Sequence, residues 1–274
     1  MAFKLPFGLK NGDLVHVSEV ERGLKCNCVC PSCGHQLTAR KGKKTSHHFA
    51  HNKGKECEYG LETTLHLAAK QILEKHKRIT LPQVSVGYIG NIVISNSKEF
   101  IFDEVSLEKR TGNIVPDVVL YVKGVPLFVE ITVTHEIDEK KRKKIEDLGI
   151  SVLEIDLSKA DRDLSIEELE KIIIDETQGK RWIYNRKEEE VLQKLINIGE
   201  KVVLKSGSCP FERGGYRAEG EPVQMLDCWC CVFCAETTIQ KDHVTVHTEC
   251  FRKTKIRSYQ DFLRYKKSEE DNGR

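Results

Sequence analysis

No apolar run in this 274-residue chain is long enough to cross a bilayer, and its opening segment, Met1 to Asp13, has no apolar signal core. A membrane span and a secretory leader are therefore set aside, and a cytoplasmic protein with no membrane partner is expected. Cysteine is missing from 58–208 altogether; five of the eleven fall between Cys26 and Cys57 and six between Cys209 and Cys250. Disulfides are not expected in a reducing cytosol, so thiols gathered at both ends point to two metal sites flanking a cysteine-free body. Internal repeats are also missing, and net charge is only +2. The small total hides a bias: residues 1–60 hold ten Lys and Arg against five Asp and Glu, 201–274 hold thirteen against eleven, and the middle is acidic. Basic ends suit phosphate contact and an acidic centre suits divalent cations.

Hydrophobic content of 39% against 31% charged residues describes a folded chain. Alternation over 13–20 predicts a half-buried strand closed by a turn at Arg22-Gly23. From Gly60, Leu61, Leu65, Ala68, Ala69, Ile72 and Leu73 recur at helical spacing, which sets Glu62, His66 and Lys70 on one face. Strands are predicted over 84–88, 92–94, 100–105, 115–122 and 126–133, with Lys123-Gly124 as a hairpin turn. A charged helix over 138–148 stopped by Gly149, a buried strand over 151–157, a helix with a capping box at Ser165 and another over 187–198 follow. The polar tail, 266–274, is expected to fray. The pattern predicts a mixed α/β core, divided as an N-terminal zinc-finger-like module (1–60), an α/β core (61–160), a helical connector (161–200) and a C-terminal Cys-rich module (201–274).

Cys30-Pro31-Ser32-Cys33-Gly34 is a Cys-x-x-Cys knuckle, a turn that lets two thiolates face one tetrahedral ion. His51 and Cys57 complete the preferred set, with His48 the alternative histidine; four closed ligands make this Zn2+ structural. For the C-terminal cluster the first choice is Cys209, Cys231, Cys234 and Cys250, with Cys228 and His247 able to replace members. Between these ends, Asp117 follows Pro116, and Glu130 stands on the next strand across the Lys123-Gly124 turn. Two carboxylates among Val118, Val119, Val129 and Ile131 are costly to bury unless a cation binds them, and Mg2+ fits as a hard, oxygen-seeking ion. Arg40, Lys41, Lys43 and Lys44, with Arg252, Lys253, Lys255 and Arg257, are candidate contacts to a nucleic-acid backbone.

The order strand-Pro-Asp, hairpin, hydrophobic-Glu resembles the PD-(D/E)XK nuclease core. The run Cys-Pro-x-Cys-Gly, His-Phe-Ala-His, Cys57, then Glu62 to His66 to Lys70, more narrowly resembles the competence protein CoiA-like family over roughly residues 10 to 160. That resemblance implies a nuclease-like mixed sheet with flanking helices between the two zinc modules, and a Mg2+-dependent nuclease acting on DNA, with RNA not excluded. DNA uptake, recombination or defence would be its setting, and a homodimer is compatible with it. Asp117 and Glu130 become Mg2+ ligands, Glu62 a further acid and His66 a group on water or phosphate. Thr132 stands where the general motif has lysine, and Lys141, Lys140 or Lys70 is expected to substitute. The rival is a non-catalytic, zinc-containing nucleic-acid-binding protein with a degenerate nuclease fold; a zinc-scaffolded protein adaptor would bind no DNA.

Overall fold

The structure, a computed structural model, describes residues 4–43, 46–54, 57, 59–86, 92–107, 114–134, 138–161, 164–204, 231, 233–239 and 246–272. The chain forms two compact units: 1–82 with 98–184, and 83–97 with 185–274. This partition joins the zinc-finger-like module and the α/β core in one unit, and moves 83–97 out of it.

The first unit begins with β1 (Phe7–Lys10) and β2 (Asp13–His16), an antiparallel pair, then β3 (Leu37–Arg40) and β4 (His48–His51), another. Helix α1 runs Gly60–His76 and stops where Lys77 turns left-handed and donates its N–H to Leu73. Strand β5 (Arg78–Leu81) follows it. Next come β6 (Val84–Val86) and β7 (Ile92–Ser95), which pair with each other and belong to the second unit. Strand β8 (Lys98–Ile101) returns to β5. The main sheet uses β9 (Glu104–Leu107), β10 (Val118–Val122), β11 (Val125–Thr132), then helix α2 (Glu139–Leu148) and β12 (Val152–Asp156). Helix α3 (Ile166–Glu170) has the expected capping box at Ser165 and continues as a π-turn to Asp175 before β13 (Lys180–Tyr184) closes the unit.

In the sheet the order is β13-β12-β11-β10-β9, with β11 and β12 parallel and the other pairs antiparallel. The β10–β11 hairpin turns on Lys123 and Gly124, at φ of 50° and 76°. Two positive φ values are what a two-residue primed turn requires, and this explains the Lys-Gly signal. Alternation then sorts the side chains. Val118, Leu120, Val129, Ile131, Leu153 and Ile155 join α1 and the N-terminal module in one core, while Val119, Phe128 and Val152 pack with Ile145 of α2. Burying Leu65 and Leu73 of α1 contributes about 1.5–3 kcal/mol each.

Gly179 sits at φ +78°, and a Cβ there would lie 3.0 Å from the Asp156 carbonyl oxygen, while its own carbonyl accepts the Asp156 N–H at 2.7 Å. Gly179→Ala is expected to cost about 1–3 kcal/mol in urea unfolding; an unchanged midpoint would contradict the strain assigned to this turn.

The second unit adds α4 (Arg186–Ile198), β14 (Glu200–Leu204), β15 (Cys234–Ile239), β16 (Val246–Cys250) and α5 (Tyr259–Asn272). The strands form a sheet in the order β14-β16-β15. Its core gathers Val86 and Ile92 with Val191, Leu195, Phe251 and Phe262. The tail expected to fray instead continues as helix to Asn272, anchored by buried Phe262. Among the described residues no helix is long and apolar enough to cross a membrane.

Candidate functional site

Backbone turns build the metal centre. Gly34, at φ +71°, donates its N–H to the Cys30 carbonyl at 2.8 Å, and Cys30 donates to the His35 carbonyl at 2.8 Å, which folds the knuckle back on itself. His51 arrives at the end of β4, and the Cys57 carbonyl accepts the Gly60 N–H at the start of α1. The ligand atoms of Cys30, Cys33, His51 and Cys57 lie within 4.8 Å of one another, and among the described residues no other group of three or more potential ligands gathers so closely. Zn–S bonds of about 2.3 Å in a tetrahedron place sulfurs roughly 3.8 Å apart, so an ion needs only a small contraction. The cluster can bind one zinc. His48 is three residues away on the same strand and therefore faces the other side; its Nδ1 lies 2.9 Å from the Ser46 carbonyl.

Burial pushes the Cys30 thiol up to about 11, a proton that a metal would displace. Burial also pushes Cys57 upward, but hydrogen bonds with Ser32, Cys33, Cys30 and the Tyr59 backbone outweigh it and leave the thiol below its ordinary value. Cys26 and Cys28 take no part. Both are buried, and their thiols donate to the carbonyls of Leu37 and Cys26.

At the C-terminal cluster, Cys234 and Cys250 face each other across β15 and β16, and Cys234 donates its N–H to the Cys231 carbonyl at 3.2 Å. Cys209 and Cys228 lie outside the described residues. The expected four-ligand set is therefore described only at Cys231, Cys234 and Cys250.

The acidic pair meets at the end of the β10–β11 hairpin. Asp117 Oδ2 accepts the Ile131 N–H at 2.8 Å, which fixes its carboxylate one residue from Glu130. On its other side Asp117 Oδ1 lies 3.6 Å from His66 Nδ1 and 3.9 Å from Lys70 Nζ, both from α1. Burial pushes the Asp117 carboxyl up, and His66, the Ile131 N–H and Lys70 more than reverse it, so the group stays ionised below its usual range. Glu130 is 4% exposed, and burial raises it to about 7; Lys141 pulls against that rise and the Asp117 charge adds to it.

Lys141 reaches Glu130 from α2. Its Nζ lies 2.6 Å from Glu130 Oε2, and its own backbone N–H is held by the N-cap side chain of Asp138. The other oxygen of Glu130, Oε1, is buried without a hydrogen-bond partner among the described residues. Glu62, on α1, accepts a hydrogen bond from Thr134. Thr132, where the general motif has lysine, is buried and donates its hydroxyl to Glu154 at 2.7 Å.

Strand β12 lies between β11 and β13, so Glu154 is fully buried and its second oxygen pairs with Arg181 of β13. Sequence reasoning missed Arg181 because β13 was not recognised; the run Arg181-Trp182-Ile183-Tyr184 carried a β-propensity signal for the strand, though not for its register. Among the basic residues expected at nucleic acid, Lys41 gives its ammonium to the carbonyls of Ser18 and Val20, and Lys253 pairs with Glu200 at 2.5 Å. Lys44 and His135 lie outside the described residues.

Fold and site together define a mixed α/β protein with a Cys3His cluster in its amino-terminal part that could hold one metal ion. Residues 14–60 match the family model described as Competence protein CoiA, N-terminal domain. The match bears out the resemblance that the motifs of this segment carry, and it ends at the start of α1, before Asp117 and Glu130. Neither the curated proteins nor the solved structures yielded a match to the chain.

Proposed function

We propose that this is a zinc-stabilised nuclease that hydrolyses phosphodiester bonds of DNA, in a setting of competence and DNA uptake. The observation that carries the reading is the position of Lys141: its ammonium touches Glu130, beside Asp117, and so offers from a helix the cation that Thr132 lacks on the strand. The residues also fit a divalent ion. A carboxylate oxygen buried without a partner, next to a second carboxylate that stays ionised, is a costly arrangement that a hard cation relieves.

Asp117 and Glu130 would hold Mg2+, which when bound supplies Lewis-acid charge against the phosphate. Lys141 is placed to stabilise negative charge or hold a proton at Nζ beside the reacting group. His66 and Lys70 keep Asp117 ionised, and the Ile131 N–H fixes its orientation. A non-catalytic binding protein is the second reading, favoured by Thr132, which stands where the general motif has lysine and gives its hydroxyl to Glu154.

The test is cleavage of single- and double-stranded DNA and RNA with Mg2+, Mn2+ or EDTA. Asp117→Asn and Lys141→Ala are each expected to slow metal-dependent cleavage by about 10²–10⁴-fold. Binding that falls with salt, without cutting by the parent protein, would select the second reading. Cleavage should also depend on pH. Only ionised Glu130 attracts a cation, and its carboxyl is raised to about 7. The rate is therefore expected to rise about tenfold per pH unit below that value and level off above it, with the midpoint moving down as Mg2+ increases. A flat profile from pH 5 to 8 would remove Glu130 from the cation site.

A further inference from the structure

Helix α2 carries an unbroken run of cations, Lys140 to Lys144, and then Glu146 and Asp147 in its last turn. Beyond Asp138 and Glu139 at its start, that order runs against the helix dipole, which favours anions at the beginning and cations at the end. Lys140 and Lys144 also stand four residues apart, a spacing at which like charges repel. A helix charged in this sense gives up local stability, and sequences accept such a loss chiefly where function asks for it.

The cations of the run differ in what they touch. Lys141 precedes the buried Ile145 by one turn and shares its inward face, which brings its ammonium within 2.6 Å of Glu130. Arg142 donates to the Ile183 carbonyl at 3.4 Å. Lys140, Lys143 and Lys144 are exposed, and none of their ammonium groups makes an ion pair or hydrogen bond among the described residues. Lys144 follows Lys141 by three residues and Lys140 by four, so their Cβ atoms lie about 5–6 Å apart on adjoining turns. The three lysines form one band that starts at the acidic pair and passes outward into solvent. An ordinary solvated face intersperses both signs; this band holds one. Lys41 and Lys253, by contrast, are already committed to carbonyls and to Glu200.

Resting on the proposed hydrolysis of phosphodiesters at Asp117 and Glu130, we infer that the Lys140 and Lys144 edge of α2 is the surface on which the DNA backbone docks, its ammonium groups holding phosphates next to the scissile one. Charge complementarity carries the assignment. A polyanion turns the mutual repulsion of these lysines into attraction and releases its own counterions on binding. Continuity with the acidic pair sets where the strand lies: neighbouring phosphates at Lys140 and Lys144 leave the next phosphodiester beside Lys141 and Glu130. Contacts of this kind place a strand without reading its sequence.

The test is DNA binding without added Mg2+, read by fluorescence anisotropy from about 50 to 200 mM salt. The probe is a labelled DNA, single-stranded or duplex, whichever the parent protein holds more tightly. Lys140→Gln with Lys144→Gln keeps the helix, because glutamine matches lysine in helix propensity. This double variant is expected to bind at least about tenfold more weakly at the middle of that range, and the slope of log affinity on log salt should be shallower by roughly 1.4–1.8. The loss should be equal on two unrelated sequences. Lys77→Gln with Lys123→Gln removes the same charge from exposed lysines at the end of α1 and in the hairpin turn, and should change neither quantity. Equal losses in the two double variants, an unchanged salt slope in the α2 variant, or no DNA binding by the parent protein would each overturn the inference. Metal-dependent cleavage retained in full by the α2 variant would sink the docking surface and spare the nuclease. Binding lost selectively by that variant, in a protein that never cuts, would do the reverse.

Discussion

Cys33→Ser is expected to lose one zinc per chain relative to the parent protein and to unfold the amino-terminal module, with a melting temperature at least 10 °C lower. Cys33 is exposed, so the substitution removes a ligand without opening a hole in the core. Structural zinc in small modules contributes on the order of 10 kcal/mol of binding energy, comparable with the whole stability of a domain, about 5–15 kcal/mol. The effect should spread, because Phe7, Leu37 and Phe49 of the module share a core with Leu61, Leu65 and Leu73 of α1 and with Val129 and Leu153 of the sheet. Hydrogen exchange should therefore quicken in α1 as well as in 7–51. Elemental analysis together with calorimetry checks the outcome; an unchanged zinc content and melting temperature would exclude a metal at this cluster.

The second large effect has opposite signs in stability and activity. Glu130→Gln should remove cleavage, yet at pH 8 and without divalent cations it should stabilise the protein by up to about 3 kcal/mol. The carboxyl rises from its ordinary value of 4.5 to about 7 on folding, because burial disfavours its charge. A raised carboxyl contributes its full stability below the unfolded value, and that contribution is lost as pH rises from about 4.5 through 7. The parent protein should therefore weaken across that window while the glutamine variant does not, and the two should converge near pH 4. Parallel stability curves across the window would mean that Glu130 is not held as a strained carboxylate.

Some of this was legible from residues alone. The zinc knuckle could be read because Cys30, Cys33 and Gly34 are contiguous and a Cys-x-x-Cys turn has few conformations, and the β10–β11 hairpin because Lys123-Gly124 meets the demand for two positive φ values. His51 was already preferred to His48, and it is His51 that gathers with the three thiols, while alternation turns His48 to the other side. The Glu154–Arg181 pair was out of reach: its partners come from adjacent strands whose register, Glu154 opposite Arg181, is decided by packing over the whole sheet. Helical periodicity set Glu62, His66 and Lys70 on one face of α1, and two of them, His66 and Lys70, lie beside Asp117.

The excursion of β6 and β7 makes the polypeptide interleaved: it leaves the first unit after Pro82, serves the second, and returns at Lys98. Neither half of the gene encodes a self-sufficient body. Truncation after Tyr184 would strand Val86 and Ile92 without Val191 and Leu195, leaving a sticky two-stranded flap. A soluble amino-terminal fragment would instead have to be made by excising 83–97 and splicing Pro82 to Lys98 through a short linker.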